Sequence, residues 1–124
     1  MEAFKGVQYA FLIGGFPRLA GMQRSDLIAK NTAIFSETGK AIDAVAEKDI
    51  KVIVVANPAN TNACVLMEHA KSIPRENFSA MTRLDANRAK SLLREAAIKK
   101  LGRNVAIEEV KNCIIWGNHS DTQF

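Results

Sequence analysis

The sequence predicts an α/β fold built on an open sheet of parallel strands. Short, continuous apolar runs alternate along the chain with longer segments whose apolar residues recur at helical spacing. Strands that alternate with helices in this way are typical of β–α–β units, in which neighbouring strands run parallel. The chain has 124 residues, of which 48% are hydrophobic, and this is enough to build one domain of ordinary size.

The first half of the chain contributes two predicted strands and the helix between them. Residues 7–15 read VQYAFLIGG, a continuous apolar run ending in glycines, which predicts a strand buried on both faces. Residues 25–48 have apolar side chains at helical spacing, and Ser25 is the predicted N-cap of this helix. Residues 51–58 read KVIVVANP and predict a second buried strand, which is stopped by Pro58.

The second half continues the same alternation. A short helix is expected over residues 60–70, a brief strand over 78–82 and a longer helix over 84–101. Gly102 follows that helix at the position where a left-handed residue commonly ends one. The run KNCIIWGN, residues 111–118, predicts a last strand.

Composition excludes several classes of protein. No apolar run approaches the roughly 18 to 20 residues that span a bilayer, and no signal peptide is evident. The net charge is +4, but the cations of residues 88–103 surround an apolar helical stripe, and aromatic residues are few, so nucleic-acid binding is disfavoured. Cys64 and Cys113 lie in apolar contexts without CxxC spacing and are expected to be buried free thiols. The composition indicates a cytoplasmic protein without a metal site.

Polar residues follow each predicted strand. Ligands of open α/β sheets bind outside the carboxyl ends of the strands, which makes these residues candidates for a site. In chain order they are Arg18 and Arg24, then Asn57, then Asp85 and Arg88, then Asn118 and His119.

The chemistry of these residues suits an acidic substrate. Three arginines match two carboxylates, since each planar guanidinium can bind one of them in bidentate fashion. A histidine exchanges protons near neutral pH, and a carboxylate bonded to its second nitrogen would fix its tautomer. Plainer interpretations stay open for each residue. Loop arginines are usually solvated, Asp85 and Arg88 at i and i+3 can form a weak surface pair, and a histidine at a strand end can be incidental.

Four motifs carry a resemblance to a known family. VVANPANTN, TRLDANRA, IIWGNHS and FPRLAGMQRSDL occur together, and the sequence resembles NAD-dependent malate dehydrogenase of the cytosolic type, within the lactate/malate dehydrogenase family. The resemblance implies that His119 accepts the proton in malate oxidation, that Asp85 orients it and that Arg88 binds the carboxylate at the reacting end of the substrate. It further implies that Arg18 faces the distal carboxylate and that Arg24 belongs to the same closing loop.

The resemblance also implies an NAD site. Asn57 would contact both substrate and nicotinamide, Val55 and Ala56 would line the cofactor, and Asn31 would lie beside it. Thr38 is carried over to the cofactor site from a position where the family usually has glutamine. Ala56 replaces the usual glycine and adds a methyl group where the cofactor passes.

The family's phosphate-binding segment is not found in the sequence. No GxGxxG follows an opening strand, and the acidic residue that would hold the ribose is absent. The expectation is therefore a partial Rossmann-type parallel sheet without its first β–α–β unit. Residues 1–83 would be the C-terminal part of the NAD-binding domain, and residues 84–124 the start of the substrate domain. The complete protein would be a homodimer acting on malate or oxaloacetate. A catalytically inactive fragment or pseudo-enzyme and a lactate dehydrogenase remain the alternatives, and Arg18 argues against the latter because a monocarboxylate needs no second cation.

Overall fold

The computed structural model of the protein describes residues 2–117, and the chain divides into two compact units, Met1–Met81 and Thr82–Phe124. The elements of the first unit are the strands β1 (Tyr9–Leu12), β2 (Lys51–Val54) and β3 (Phe78–Ala80) and the helices α1 (Arg24–Val45) and α2 (Ala59–His69). The second unit has one long helix, α3 (Arg83–Leu101). Single turns of 3-10 helix cover Glu2–Phe4, Arg75–Asn77 and Ile107–Glu109.

The sheet of the first unit is parallel, as the alternation of strands and helices predicts. Its order is β1-β2-β3, with Tyr9 opposite Lys51 and Val52 opposite Phe78. The strand β2 therefore lies between the other two, and β1 lies at an edge of the described sheet. The chain crosses from β1 to β2 through α1 and from β2 to β3 through α2, the arrangement of consecutive β–α–β units.

The core lies between the sheet and the two helices. Phe35 and Ile42 of α1, Leu66 of α2, and Val52 and Val54 of β2 are all buried to 1% exposure or less. Such side chains are expected to provide most of the stability of the unit, since burying each one contributes about 1.5–3 kcal/mol. The helices α1 and α2 also pack closely against each other along Gly39, which faces Leu66 and His69.

The expectation that β1 is buried on both faces is wrong. Ala10 is buried, whereas Tyr9 and Phe11 on the opposite face are 69% and 67% exposed. Because successive side chains of a strand point to opposite faces, α1 and α2 cover only one face of this strand. The apolar run shows that both faces of the strand are hydrophobic, but it does not show which face is covered within this unit.

The helices agree well with the expectation, apart from one cap. The helix expected over 25–48 is α1, and Gly102 ends α3 with a positive φ of 63°. The N-cap of α1 is Gln23 rather than Ser25, which lies in the first turn. Ser25 lies two positions after the observed N-cap, where its hydroxyl cannot cap the helix.

The expected last strand is also wrong over the residues that the structure describes. Residues 111–117 contain no strand, and Ile114 and Trp116 are 64% and 65% exposed. A strand requires a hydrogen-bonded neighbour, and this segment has none within the described part of its unit. The two cysteines are free, as expected, but Cys64 is exposed and Cys113 half-buried, so the expectation of burial is wrong. Cys64 follows the buried Ala63 and so lies about 100° further around α2, away from the covered face.

Residues 2–117 contain neither a candidate membrane-spanning helix nor a candidate metal-binding cluster. No described helix combines the length and apolar character that crossing a bilayer requires. The same residues contain no cluster of three or more histidine, cysteine, aspartate or glutamate side chains able to hold a metal ion.

Candidate active site

The carboxyl ends of the three strands form one edge of the sheet. Leu12, Val54 and Ala80, the last residues of β1, β2 and β3, lie side by side in register. The loop 13–23 leaves this edge after β1, and residues 55–58 leave it after β2. Because parallel strands end at the same edge, two of the segments singled out by the sequence begin as neighbours.

The last residue of β1 is bonded directly to the backbone of the loop that follows β2. The main-chain oxygen of Leu12 accepts hydrogen bonds from the amides of both Val55, at 2.9 Å, and Ala56, at 3.1 Å. Gly15 lies against Ala56, so that a β-carbon at position 15 would approach the methyl group of Ala56 to 3.0 Å. The extra methyl group of Ala56 therefore packs against the neighbouring loop, and Ala56 is only 9% exposed.

The side chain of Asn31 is hydrogen-bonded to both loops. It lies on α1, is 0% exposed, and its side-chain oxygen accepts a hydrogen bond from the amide of Phe16 at 2.8 Å. Its side-chain nitrogen donates to the main-chain oxygens of Phe16 and Asn57, at 3.3 Å in each case. A buried carboxamide is stable only when its hydrogen bonds are made, and here they are made to both loops. Gly15 leaves room for this side chain, since a β-carbon there would lie 2.9 Å from its oxygen.

Asn62 holds the second loop from the side of α2, and the sequence reasoning did not single it out. It is 1% exposed, and its side-chain nitrogen donates to the main-chain oxygen of Ala56 at 2.9 Å. Its backbone amide donates to the oxygen of Pro58, also at 2.9 Å. The signal that would have found Asn62 is its place among Ala59, Ala63 and Leu66, the apolar residues that α2 buries at helical spacing.

These contacts hold the backbone on both sides of Asn57. The peptide bond between Asn57 and Pro58 is cis, and the side chain of Asn57 is exposed at the carboxyl edge of the sheet. Among residues 2–117 this side chain has no hydrogen-bond partner, so its amide is available to a ligand.

The arginines of the first loop are both exposed. Arg18 lies in the loop itself, and Arg24 is the first residue of α1. Within the described part of the chain neither guanidinium is in an ion pair or hydrogen bond. The loop is anchored upstream of Arg18, where the ammonium group of Lys30 lies 3.9 Å from the centre of the Phe16 ring, within the range of a cation–π contact.

Thr38 lies apart from the other cofactor candidates. Its hydroxyl donates to the main-chain oxygen of Ile34 at 2.8 Å, a bond within α1. It follows Asn31 by seven residues, which places it about 10 Å further along the helix axis, toward the opposite edge of the sheet.

In the second unit Asp85 and Arg88 are brought together. Both lie in the first turns of α3, and the guanidinium Nη1 of Arg88 donates to the Oδ1 of Asp85 at 3.1 Å. The carboxylate is the more buried partner, with 20% of its side chain exposed compared with 73% for Arg88. Arg88 also lines a shallow, mainly apolar depression beside Leu84 and Leu92. Asn118 and His119 lie outside the described residues.

Comparison with known proteins identifies the family of this chain. Residues 1–79 match the NAD-binding domain of lactate/malate dehydrogenases, and residues 82–124 match the α/β C-terminal domain of the same enzymes. The chain belongs to the lactate/malate dehydrogenase family, and the expected resemblance and α/β fold class are confirmed.

Several of the relatives are named malate dehydrogenases. The chain is 53% identical over 123 residues to the probable malate dehydrogenase 3 of Dictyostelium discoideum, covering 99% of this chain and 35% of that protein. It is 52% identical to the cytoplasmic malate dehydrogenase of Gallus gallus, covering 98% and 35% respectively. The crystal structure of malate dehydrogenase from Naegleria fowleri superimposes with a TM-score of 0.85 at 46% identity, covering 99% of this chain and 36% of that one. The chain thus spans about a third of the length of its relatives.

Proposed function

We propose that this chain carries part of the active site of an NAD-dependent malate dehydrogenase, which interconverts malate and oxaloacetate. The observation that carries the proposal is the exposed amide of Asn57 at the carboxyl edge of the sheet, with its backbone held by buried asparagines. Membership of the family and the names of the relatives support it. We further propose that residues 1–83 are the C-terminal part of the cofactor domain and residues 84–124 the start of the substrate domain.

The described residues fit the nicotinamide side of the cofactor. A β-carbon at Gly14 would meet nothing within 4 Å, so the backbone there is open to close approach, and the amide of Asn57 offers both a donor and an acceptor. Val55 and Ala56 would form the adjoining wall, and Asn31 would act from beneath it. NAD, when bound, supplies the carbon that accepts a hydride from malate. The chain has no GxGxxG to hold the pyrophosphate, so the residues present fit only this half of the cofactor.

The arginines would bind the two carboxylates of the substrate. Arg18, exposed on the loop after β1, would bind the distal carboxylate, and Arg24 would contribute to the same loop. Arg88 would bind the carboxylate next to the reacting carbon. Its guanidinium has five N–H donors and uses one of them on Asp85, which leaves enough for a bidentate contact.

His119 and Asp85 would handle the proton. His119 would take the hydroxyl proton of malate during oxidation and return it during reduction. Asp85, the half-buried carboxylate at the start of α3, would orient the imidazole and stabilise its protonated form.

The proposal extends to the cellular location and the partners. We propose a cytoplasmic protein that forms a homodimer when complete, acts on small dicarboxylates and does not bind nucleic acid or membranes. The names of the cytoplasmic relatives support the location. The 124-residue chain by itself is expected to be catalytically inactive, because it has only part of the cofactor site and about a third of the length of its relatives.

The proposal is tested in a chimera in which this chain replaces the matching segment of the Gallus gallus relative. The chimera is expected to reduce oxaloacetate with NADH, and His119→Asn is expected to lower turnover by roughly 10²- to 10⁴-fold while NADH affinity changes little. His69→Asn is the matched control, because His69 lies at the end of α2 and bonds to the Val65 oxygen of its own helix. Near-normal turnover of the His119 variant would exclude it as the base.

A further inference from the structure

Buried amides hold the main-chain oxygens on both sides of Asn57. The side-chain nitrogen of Asn62 donates to the oxygen of Ala56, which belongs to the peptide group before Asn57. The side-chain nitrogen of Asn31 donates to the oxygen of Asn57 itself, which belongs to the peptide group after it. With both peptide planes held, the direction of the bond from the α-carbon to the side chain of Asn57 is fixed.

We propose that Asn62 is a positioning residue, which orients the amide of Asn57 toward the nicotinamide side of the cofactor. This inference rests on the proposed function, because Asn57 is the residue that would contact the ligand. Among residues 2–117 the Asn57 side chain is exposed and makes no hydrogen bond of its own. Its direction therefore depends on the backbone, and the side chain of Asn62 holds that backbone through the oxygen of Ala56.

The chemistry of position 62 supports this role. Asn62 is 1% exposed and lies among the apolar residues that α2 buries, where a leucine would be the ordinary choice for packing. A buried polar side chain is costly unless its hydrogen bonds are made, and a leucine here would leave the oxygen of Ala56 without this donor. Packing alone thus gives no reason for an asparagine, whereas a requirement for a fixed Ala56 peptide group does.

The test compares three variants of the 124-residue chain by two-dimensional ¹⁵N–¹H NMR. Asn62→Asp keeps the shape of the side chain and removes its N–H donors, and Asn62→Leu keeps its approximate volume and removes its polarity. Asn60→Asp is the matched control, since Asn60 is exposed on the same turn of α2. The signals of the Asn57 side-chain amide, and their contacts with neighbouring protons, report its direction in the absence of any ligand.

Both Asn62 variants are expected to move the Asn57 side-chain signals while the signals of the α1 and α2 core remain, and Asn60→Asp is expected to leave them in place. If the Asn57 side chain must then be ordered when NADH binds, at about 1 kcal/mol, binding in the same samples should weaken roughly fivefold. Unchanged Asn57 signals in the folded Leu variant would overturn the proposal, whether or not the Asp variant folds.

The cofactor site at Asn57 and the orientation of Asn57 by Asn62 are tested by different measurements. If the unsubstituted chain shows no NADH-dependent shift at Asn57, the proposed cofactor site is wrong. The ligand-free signals of Asn57 still decide whether Asn62 sets its direction.

Discussion

The buried side chain of Asn31 donates a hydrogen bond to the main-chain oxygen of Asn57 at 3.3 Å, although the two residues are 26 positions apart in the chain. The same side chain bonds to the amide and the oxygen of Phe16. One residue of α1 is therefore hydrogen-bonded both to the loop that carries Arg18 and to the loop that carries Asn57. The resemblance places Asn31 beside the cofactor, and its burial makes it a support for the surface that would meet the cofactor.

Replacing Asn31 is expected to loosen both loops. Asn31→Ala removes three partly buried hydrogen bonds and leaves the main-chain groups of Phe16 and Asn57 without that partner, which should lower the free energy of unfolding by about 1–3 kcal/mol. Urea denaturation followed by circular dichroism measures this change. Asn60→Ala, at an exposed position, serves as the control and should fall within about 0.5 kcal/mol of the parent. Equal effects of the two substitutions would contradict the role given to Asn31.

Gly39 is expected to tolerate no side chain. A β-carbon at this position would lie 2.8 Å from the β-carbon of His69 and 2.8 Å from the main-chain oxygen of Leu66. Gly39→Ala should therefore destabilise the fold by about 1–3 kcal/mol through overpacking, even though alanine favours helices over glycine. The midpoint of thermal unfolding measures the effect. Lys40→Ala is the control, because it removes only an exposed pair with Glu37. An increase in stability for Gly39→Ala would show that α1 and α2 are further apart than described.

Asp43 is expected to make the free energy of unfolding depend on pH in the acid range. Hydrogen bonds from the hydroxyl and backbone N–H of Ser72 hold the pKa of Asp43 below its ordinary value, and the backbone bond measures 2.7 Å. Because the pKa of Asp43 is lower in the folded than in the unfolded state, its carboxylate stabilises the fold fully above the unfolded-state pKa. This stabilisation is lost as the pH falls through the folded-state pKa. Urea midpoints between about pH 5 and pH 2 should therefore fall more steeply for the parent than for Asp43→Asn.

The control for this prediction is Asp49→Asn. Asp49 is exposed in the turn before β2, and its substitution should leave the acid dependence like that of the parent. Parallel curves for the parent and the Asp43 variant would show that the contact with Ser72 does not contribute to folding.

Arg18 is expected to determine substrate choice. In the chimera described above, Arg18→Gln removes the proposed partner of the second carboxylate, and losing such a charged partner in a closed site costs on the order of 2–5 kcal/mol. The ratio of kcat/KM for oxaloacetate to that for pyruvate should fall accordingly. Arg103→Gln is the control, because Arg103 pairs with Glu109 in the other unit. An unchanged ratio for Arg18→Gln would assign the discrimination to another residue and would leave lactate dehydrogenase activity open.

Local patterns predicted the elements whose signals lie within one segment. The helical spacing of residues 25–48 and the glycine at 102 are local signals, and both correspond to what the structure contains. The parallel sheet followed from the alternation of strands and helices and is confirmed.

The errors arose where the outcome depends on a distant partner. The apolar run 111–117 has no neighbouring strand within the described part of its unit, and the Tyr9 face of β1 is not covered by the helices α1 and α2 of its own unit. Asn62 was missed for the same reason, since only the fold reveals that its side chain reaches the oxygen of Ala56. An asparagine on the apolar side of a predicted helix is the one signal that the sequence offered.

The most direct test of the central claim is titration of the isolated 124-residue chain with NADH, monitored residue by residue by NMR and in parallel by calorimetry. The account predicts weak binding, far above micromolar dissociation constants, with shifts concentrated at Gly14, Val55 and Asn57, and no oxaloacetate reduction in the same samples. We propose that the described residues carry the nicotinamide side of the site, whereas the sequence lacks the glycine-rich phosphate cradle. Micromolar binding with turnover, or shifts that avoid the carboxyl edge of the sheet, would contradict the account.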